Sequence, residues 1–336
     1  MNRREWLWGA AALPLFATVL ARAAPTEAGL EAAAAYSAEH QGLSMLVMQD
    51  GRTVFERYTR PAVKEAGWEL ASGTKSFCGV MAAALVADGL LDLDEPAVRT
   101  LPEWRTDGRA AITVRQVLNL TSGVRTEDVR GRLATYADAV SLPLDTAPGA
   151  RFRYGGNPFQ VFGEIVRRKL TRDADPLAYL DRRVLKPAGV DFRFWRLGAD
   201  GMPHLASGAR VNAGSWARFG ELVRLGGQGL VDPAALEACF QGSDASPAYG
   251  LSWWLARPVA PSAARSIPQL RSAGLERPND VFPQDLVLAA GAGKQRLYVS
   301  RAERLVVVRQ AAGIRDALEG ARAGFDDVEF WRRLRS

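Results

Sequence analysis

Ser72 and Lys75 stand three residues apart in Ala71-Ser72-Gly73-Thr74-Lys75-Ser76, at the head of the apolar run Phe77 to Leu85. On a helix beginning near residue 72, positions i and i+3 share a face, so hydroxyl and amine lie side by side. A serine hydroxyl is too weakly acidic to attack a carbonyl unaided. It needs a neighbouring base, and a lysine serves when crowding or desolvation leaves it neutral. The positive end of a helix disfavours the ammonium and favours the developing alkoxide. A second candidate is Tyr154, in the turn-rich stretch Pro148 to Asn157 that leads into the amphipathic segment Phe159 to Leu170. A phenol beside a cationic lysine can pass a proton to and from the serine. Taken singly, the pair also fits a surface Ser and Lys on a core helix, and Tyr154 fits a loop cap, so the rest of the chain has to decide.

Other chemistries find little support. The two histidines, His40 and His204, lie in no recognisable catalytic context, and a Gly-x-Ser-x-Gly elbow is absent. Gly291-Ala292-Gly293-Lys294 fails as a phosphate loop, because Gln295 stands at the Ser/Thr position and Leu288 at the first glycine. Two cysteines and two histidines without close spacing give no metal site, and no cofactor is expected. Cys78 falls inside the apolar helix, so both Cys78 and Cys239 are expected unpaired. The 43 basic and 37 acidic residues leave +6, spread over isolated arginines without aromatic interleaving, which gives no case for nucleic acid.

The elements that must position these residues follow from pattern. A helix is expected over about Glu27 to His40, then strands Leu43 to Gln49 and Thr53 to Tyr58 around Asp50-Gly51, a hairpin signal. A second hairpin, Arg296 to Val299 and Leu305 to Arg309, and a helix from Asp326 to Leu334 close the chain. Between them the pattern is helical: Thr113 caps Val114 to Leu120, and Phe159 to Leu170 and Trp216 to Leu225 are amphipathic. Arg257 to Asp285 reads as a long surface loop. The expected fold is α+β: an antiparallel sheet formed from both chain ends, flanked by helices, with an inserted all-helical domain. The boundaries are 25–95 plus 245–336 for the α/β domain and 96–244 for the helical one.

Residues 1–24 read as an export signal: Arg3-Arg4, the short apolar stretch Leu7 to Leu20, then Ala21-Arg22-Ala23-Ala24. The arginine pair with Trp6 and Leu7 resembles a twin-arginine signal, although Asn2 and Trp8 depart from that pattern. A periplasmic or secreted protein is expected, with no membrane span once the signal is cut; the rival reading of the same stretch is an uncleaved N-terminal anchor.

At the level of motifs, the chain resembles the class C serine β-lactamases and the related penicillin-binding peptidases and esterases. The residues that carry this are Ser72-x-x-Lys75, Gly89-Leu90-Leu91-Asp92-Leu93-Asp94, Ile112 to Leu118 leading to Thr121-Ser122-Gly123, and Tyr249-Gly250-Leu251-Ser252-Trp253-Trp254, in the family's order. The resemblance implies a β-lactamase/transpeptidase-like fold, with Ser72 as acylated nucleophile, Lys75 as its base partner and Tyr154 as second base. Two motifs depart from the pattern. Position 156 is Gly, with the asparagine displaced to Asn157. The third motif falls at Gly291 to Gln295, with Ala292 at the cationic position and Lys294 where glycine is usual. On this register Gln295 supplies an oxyanion N–H, with Asn157 and Lys294 as substrate contacts. The expected activity is hydrolysis of small carboxylic esters or amides through an acyl-serine. The alternatives are a β-lactamase or D-Ala-D-Ala peptidase, or a non-catalytic binding protein of the same fold.

Overall fold

The computed structural model describes residues 24–60, 62–127, 132–170, 175–260, 267–276, 280–320 and 324–336. The expected export signal, Ala24 apart, lies outside them. The strands are β1 (Gly42–Gln49), β2 (Arg52–Tyr58), β3 (Trp68–Glu69), β4 (Phe192–Trp195), β5 (Ala209–Val211), β6 (Trp254–Leu255), β7 (Val287–Gly291), β8 (Gln295–Ser300) and β9 (Leu305–Ala311). Six of them form one antiparallel sheet in the order β2-β1-β9-β8-β7-β6, and β3-β5-β4 form a second, small one. The large sheet draws on both chain ends, as expected.

Its opening hairpin turns at Asp50 (φ 53°) and Gly51 (φ 77°), the paired left-handed conformation that suits the twist of two adjoining strands. Strands β8 and β9 are buried along their whole length, so both faces must be covered. One face carries the opening helix Glu27–Glu39 and the closing helix Asp327–Leu334, whose Phe330 stacks on Tyr298 of β8. These two helices approach so closely that a Cβ on Gly29 would lie 2.7 Å from the Leu334 carbonyl oxygen. Leu297, pointing the opposite way from Tyr298, meets the helix Ala213–Arg224, where Gly220 leaves the room. That helix falls within the 96–244 region read as helical domain, yet its apolar face lies on the main sheet.

The region between is largely helical. Thr113 caps Val114–Leu118 in a reciprocal capping box with Gln116, and Asn157–Leu170 forms the long amphipathic helix. The stretch expected as one loop from 257 to 285 contains the short helix Pro268–Ala273. Residues Ser76 to Leu85 of the helix Ser76–Ala87 are all buried, which is why that run reads as apolar around its whole circumference. Among the described residues no helix is long and apolar enough to cross a membrane.

Candidate active site

The Ser72 segment is not the first turn of an α-helix. Ala71–Lys75 is a 3₁₀ turn, and the α-helix begins at Ser76. With about three residues per turn, positions i and i+3 eclipse, so Ser72 and Lys75 stack more directly than on an α-helix. Ala71 enters the turn at φ 46°, a conformation costly for a residue with a Cβ and of the kind that accumulates at functional sites. Three bonds hold the turn in place: Leu70 N–H donates to the Ala209 carbonyl (3.0 Å), Ala209 N–H to Thr74 Oγ1 (3.2 Å), and Ser76 Oγ to the Gly73 carbonyl (2.8 Å).

Lys75 Nζ donates to Ser72 Oγ and to the Ala206 carbonyl, both at 2.9 Å. The side chain is buried, and its Nζ lies 5.0 Å from the Tyr154 ring centre and 5.6 Å from that of Phe159. The amine is thus aimed at the serine through a fixed carbonyl and two aromatic walls. Tyr154 arrives from a segment laid along the Thr121 loop, where Gly149 N–H donates to the Thr121 carbonyl (2.7 Å) and Arg153 N–H to that of Leu120 (3.0 Å). Its ring stacks on Trp254 (5.4 Å between centroids, 28°), with Tyr249 edge-on. Burial pushes the Tyr154 phenol up to about 12; its interactions with the Ser72 hydroxyl, the Arg296 charge and the Trp254 indole hold that rise in check. The structure therefore brings Ser72, Lys75 and Tyr154 together.

The other three expected site residues are engaged elsewhere. Asn157 is buried, its Oδ1 accepting from Ala134 N–H (3.3 Å) and its Nδ2 donating to the Glu127 (2.7 Å) and Arg125 (3.3 Å) carbonyls. It ties loops together. Gln295 turns into the sheet, its amide exchanging both hydrogen bonds with the Ala311 backbone at 2.7 and 3.0 Å. Lys294 Nζ donates to Asp327 Oδ2 at 2.9 Å. What abuts the Ser72 turn is Gly291, the last residue of β7: a Cβ there would lie 2.0 Å from the Leu70 carbonyl oxygen. The expected third-motif register, with Gln295 at the serine, is therefore not the one adopted, because the chain turns through Ala292–Lys294 and Gln295 already opens β8. Gly291 was read as part of the third motif without a role of its own, and its signal was that of a close-approach glycine; the Ala206 carbonyl, a backbone atom without any signal, escaped the sequence reading.

The remaining titratable candidates stay outside this centre. Cys78 and Cys239 are free and buried, and burial raises both thiols, Cys239 to about 12. Burial lowers His204. Among the described residues no group of three His, Cys, Asp or Glu could hold a metal.

A family model described as Beta-lactamase matches residues 28–313. The chain belongs to that family. It is 30% identical over 182 residues to an esterase, EstB, of Burkholderia gladioli, covering 44% of this chain and 45% of that one. It is 25% identical over 210 residues to a β-lactamase of Pseudomonas fluorescens, covering 59% and 54%. The matched stretches thus span about half the length of these curated relatives. The D-alanine carboxypeptidase AmpC of Burkholderia cenocepacia superposes with a TM-score of 0.65 at 17% identity, over 92% of this chain and 97% of that one, and shares the fold.

Proposed function

We propose that this chain is a serine hydrolase that works through an acyl-serine intermediate, with small carboxylic esters or amides as substrates. The observation that carries the proposal is the buried Lys75 amine held at 2.9 Å from Ser72 Oγ with the Tyr154 phenol beside the same oxygen. Ser72 Oγ attacks the acyl carbon as its proton moves into the Lys75–Tyr154 pair. The pair returns that proton to the leaving alcohol or amine, and water, deprotonated by the same pair, releases the acid. The developing oxyanion needs N–H donors. One is that of Ser72. The other is that of Ala292: the Gly291 carbonyl turns toward β8, where Arg296 donates to it at 3.3 Å, so across a trans peptide the Ala292 N–H points the other way.

The substrate preference rests on what the cleft does not receive from its expected polar contacts. A β-lactam or peptide presents an amide and a carboxylate, whereas the Asn157 amide and the Lys294 ammonium are committed to loop carbonyls and to Asp327. An unmet buried polar contact costs about 1–3 kcal/mol, so two disfavour such substrates by roughly 10² to 10⁴ against a small ester. Export to the periplasm, with cleavage near Ala23 or Ala24, is part of the same proposal and rests on the pattern of residues 1–24.

The experiment compares kcat/KM for p-nitrophenyl butyrate and nitrocefin on wild type and Ser72→Ala, with intact mass after fluorophosphonate treatment. A Ser72-dependent adduct and faster ester turnover are expected. Ester turnover in Ser72→Ala within a few-fold of wild type refutes the mechanism, and a nitrocefin value at or above the ester value refutes the substrate class.

A further inference from the structure

Behind the strand end that meets Ser72 lies an ionic cluster that the proposed chemistry leaves unused. Asp327, at the start of the closing helix, is fully buried. Its Oδ1 accepts from Arg296 Nε (2.6 Å) and Tyr298 OH (2.6 Å), and its Oδ2 from Arg296 Nη2 (3.2 Å) and Lys294 Nζ (2.9 Å). Removing a carboxylate and a guanidinium from water is expensive, and as an element of stability such a pair is often no better than an apolar one. The second reach of Arg296 gives the cluster a use. Its Nη1 donates to the Gly291 carbonyl (3.3 Å) and the Gln295 carbonyl (3.0 Å), bracketing the turn Ala292–Lys294 from both sides. The carbonyl between, that of Lys294, accepts from Arg309 Nη1 at 2.8 Å. A three-residue turn beside the nucleophile is therefore held at three carbonyls by two buried guanidinium groups, one of them locked by Asp327.

We infer that Arg296, fixed by Asp327, is a positioning residue for the oxyanion N–H of Ala292. The inference rests on the acyl-serine reading above and adds to it two effects through one peptide. The guanidinium fixes the plane of the Gly291–Ala292 peptide, and hence the direction of its N–H. A charged donor on the carbonyl oxygen also polarises that peptide and strengthens its N–H as a donor. The state of the cluster agrees: although burial opposes both charges, Arg296 is raised by Asp327 and Tyr298, and Asp327 is held well below the usual carboxylate range by Arg296 and Lys294, so both stay charged.

The test uses Arg296→Lys, which keeps a positive charge near Asp327 but cannot also reach both carbonyls. Tyr298→Phe is the control; it removes one hydrogen bond to Asp327 and none to the turn. The expected result for folded Arg296→Lys is a fall in kcat for p-nitrophenyl butyrate of about 10- to 100-fold with KM within about threefold, and a matching fall in the rate of fluorophosphonate labelling. Tyr298→Phe lowers the melting temperature and leaves kcat per folded molecule within about twofold. Should Arg296→Lys not fold, Lys294→Met is measured in the same way. It frees one anchor of Asp327 at a partly exposed position, and a three- to tenfold fall in kcat at constant KM is expected. If folded Arg296→Lys, or in its place Lys294→Met, labels and turns over within twofold of a wild type that is itself labelled at Ser72, the positioning role is wrong and the acyl-serine reading stands. If wild type is not labelled at Ser72, the acyl-serine reading falls, and this inference with it.

Discussion

Gly291→Ala is the most direct probe of how the sheet and the nucleophile meet. Gly291 has φ −124° and ψ 162°, extended geometry that alanine adopts freely, so the substitution introduces no dihedral strain of its own. The penalty is purely one of space. The added Cβ would sit 2.0 Å from the Leu70 carbonyl oxygen and 3.1 Å from Gly73 N, where ordinary contact begins at 3.4 Å. Strand end and serine turn must therefore part by about 1.4 Å, the difference between those distances for Leu70. Both are backbone, so no side chain can swing aside to absorb it. A misplacement of about 1 Å at reacting groups costs on the order of 10²-fold in rate, and loss of one oxyanion donor about 10²–10³-fold. The expected outcome is kcat/KM for p-nitrophenyl butyrate reduced at least 10²-fold in a protein whose far-ultraviolet circular dichroism matches wild type. Gly214→Ala is the companion, since a Cβ there meets nothing closer than 3.7 Å and activity should stay within twofold. A folded Gly291→Ala enzyme that keeps more than half of wild-type kcat/KM would refute both the steric argument and the assignment of this strand end to the site.

Other outcomes follow from the buried groups. Burial pushes the Tyr154 phenol up to about 12, so it acts from the protonated state: Tyr154→Phe should lower kcat by about 10²-fold or more and leave the shape of the pH–rate profile between pH 6 and 9 unchanged. A tenfold rise per pH unit through that range in wild type, absent from the variant, would instead make the phenolate the standing base. Asp327 has a folded-state pKa below its unfolded value near 3.9, so its contribution to stability is complete above about pH 4 and fades as the pH falls below it. Wild type should accordingly lose more unfolding free energy than Asp327→Asn between pH 5 and 2.5, and equal losses in urea titrations at the two pH values would contradict this. Neither Cys78 nor Cys239 should react with a disulfide reagent at pH 7.5 until the chain is unfolded, because both thiols are buried and raised; prompt labelling of native protein would contradict their placement.

Local signals survived into the structure with little change. Asp50-Gly51 specifies its hairpin through two residues tolerant of positive φ, Thr113 and Gln116 cap the same helix start from three residues apart, and Ser72 and Lys75 need only one turn to meet. What could not be read was long-range register. Gly291-Ala292-Gly293-Lys294 offers several ways to lay a strand against a serine. The one adopted is decided by the approach of Gly291 to Leu70, a contact between distant parts of the chain that leaves no periodic trace. Asn157 misled for a related reason. A buried amide satisfied by three backbone partners has the same letter as one that faces a substrate. Strand β7 was hidden because a short apolar run beside an irregular Pro- and Arg-rich stretch carries too few residues to show a period of two.

The meeting of the two chain ends governs when this protein can acquire its shape. Thr26 Oγ1 donates to the carbonyl of Ser336 at 2.8 Å, and β1 finds its inner neighbour only in β9. During synthesis the β1–β2 hairpin therefore emerges with one long edge unpaired and waits for nearly the whole chain before that edge is covered. Strand edges left open in this way invite pairing with other chains. The same proximity means that a short linker could join Ser336 to Thr26 and new termini be opened at a surface turn such as Gly201, where a Cβ would meet nothing. In that permuted chain β9 would precede β1 by a few dozen residues, and the slow, long-range step of folding would become a local one.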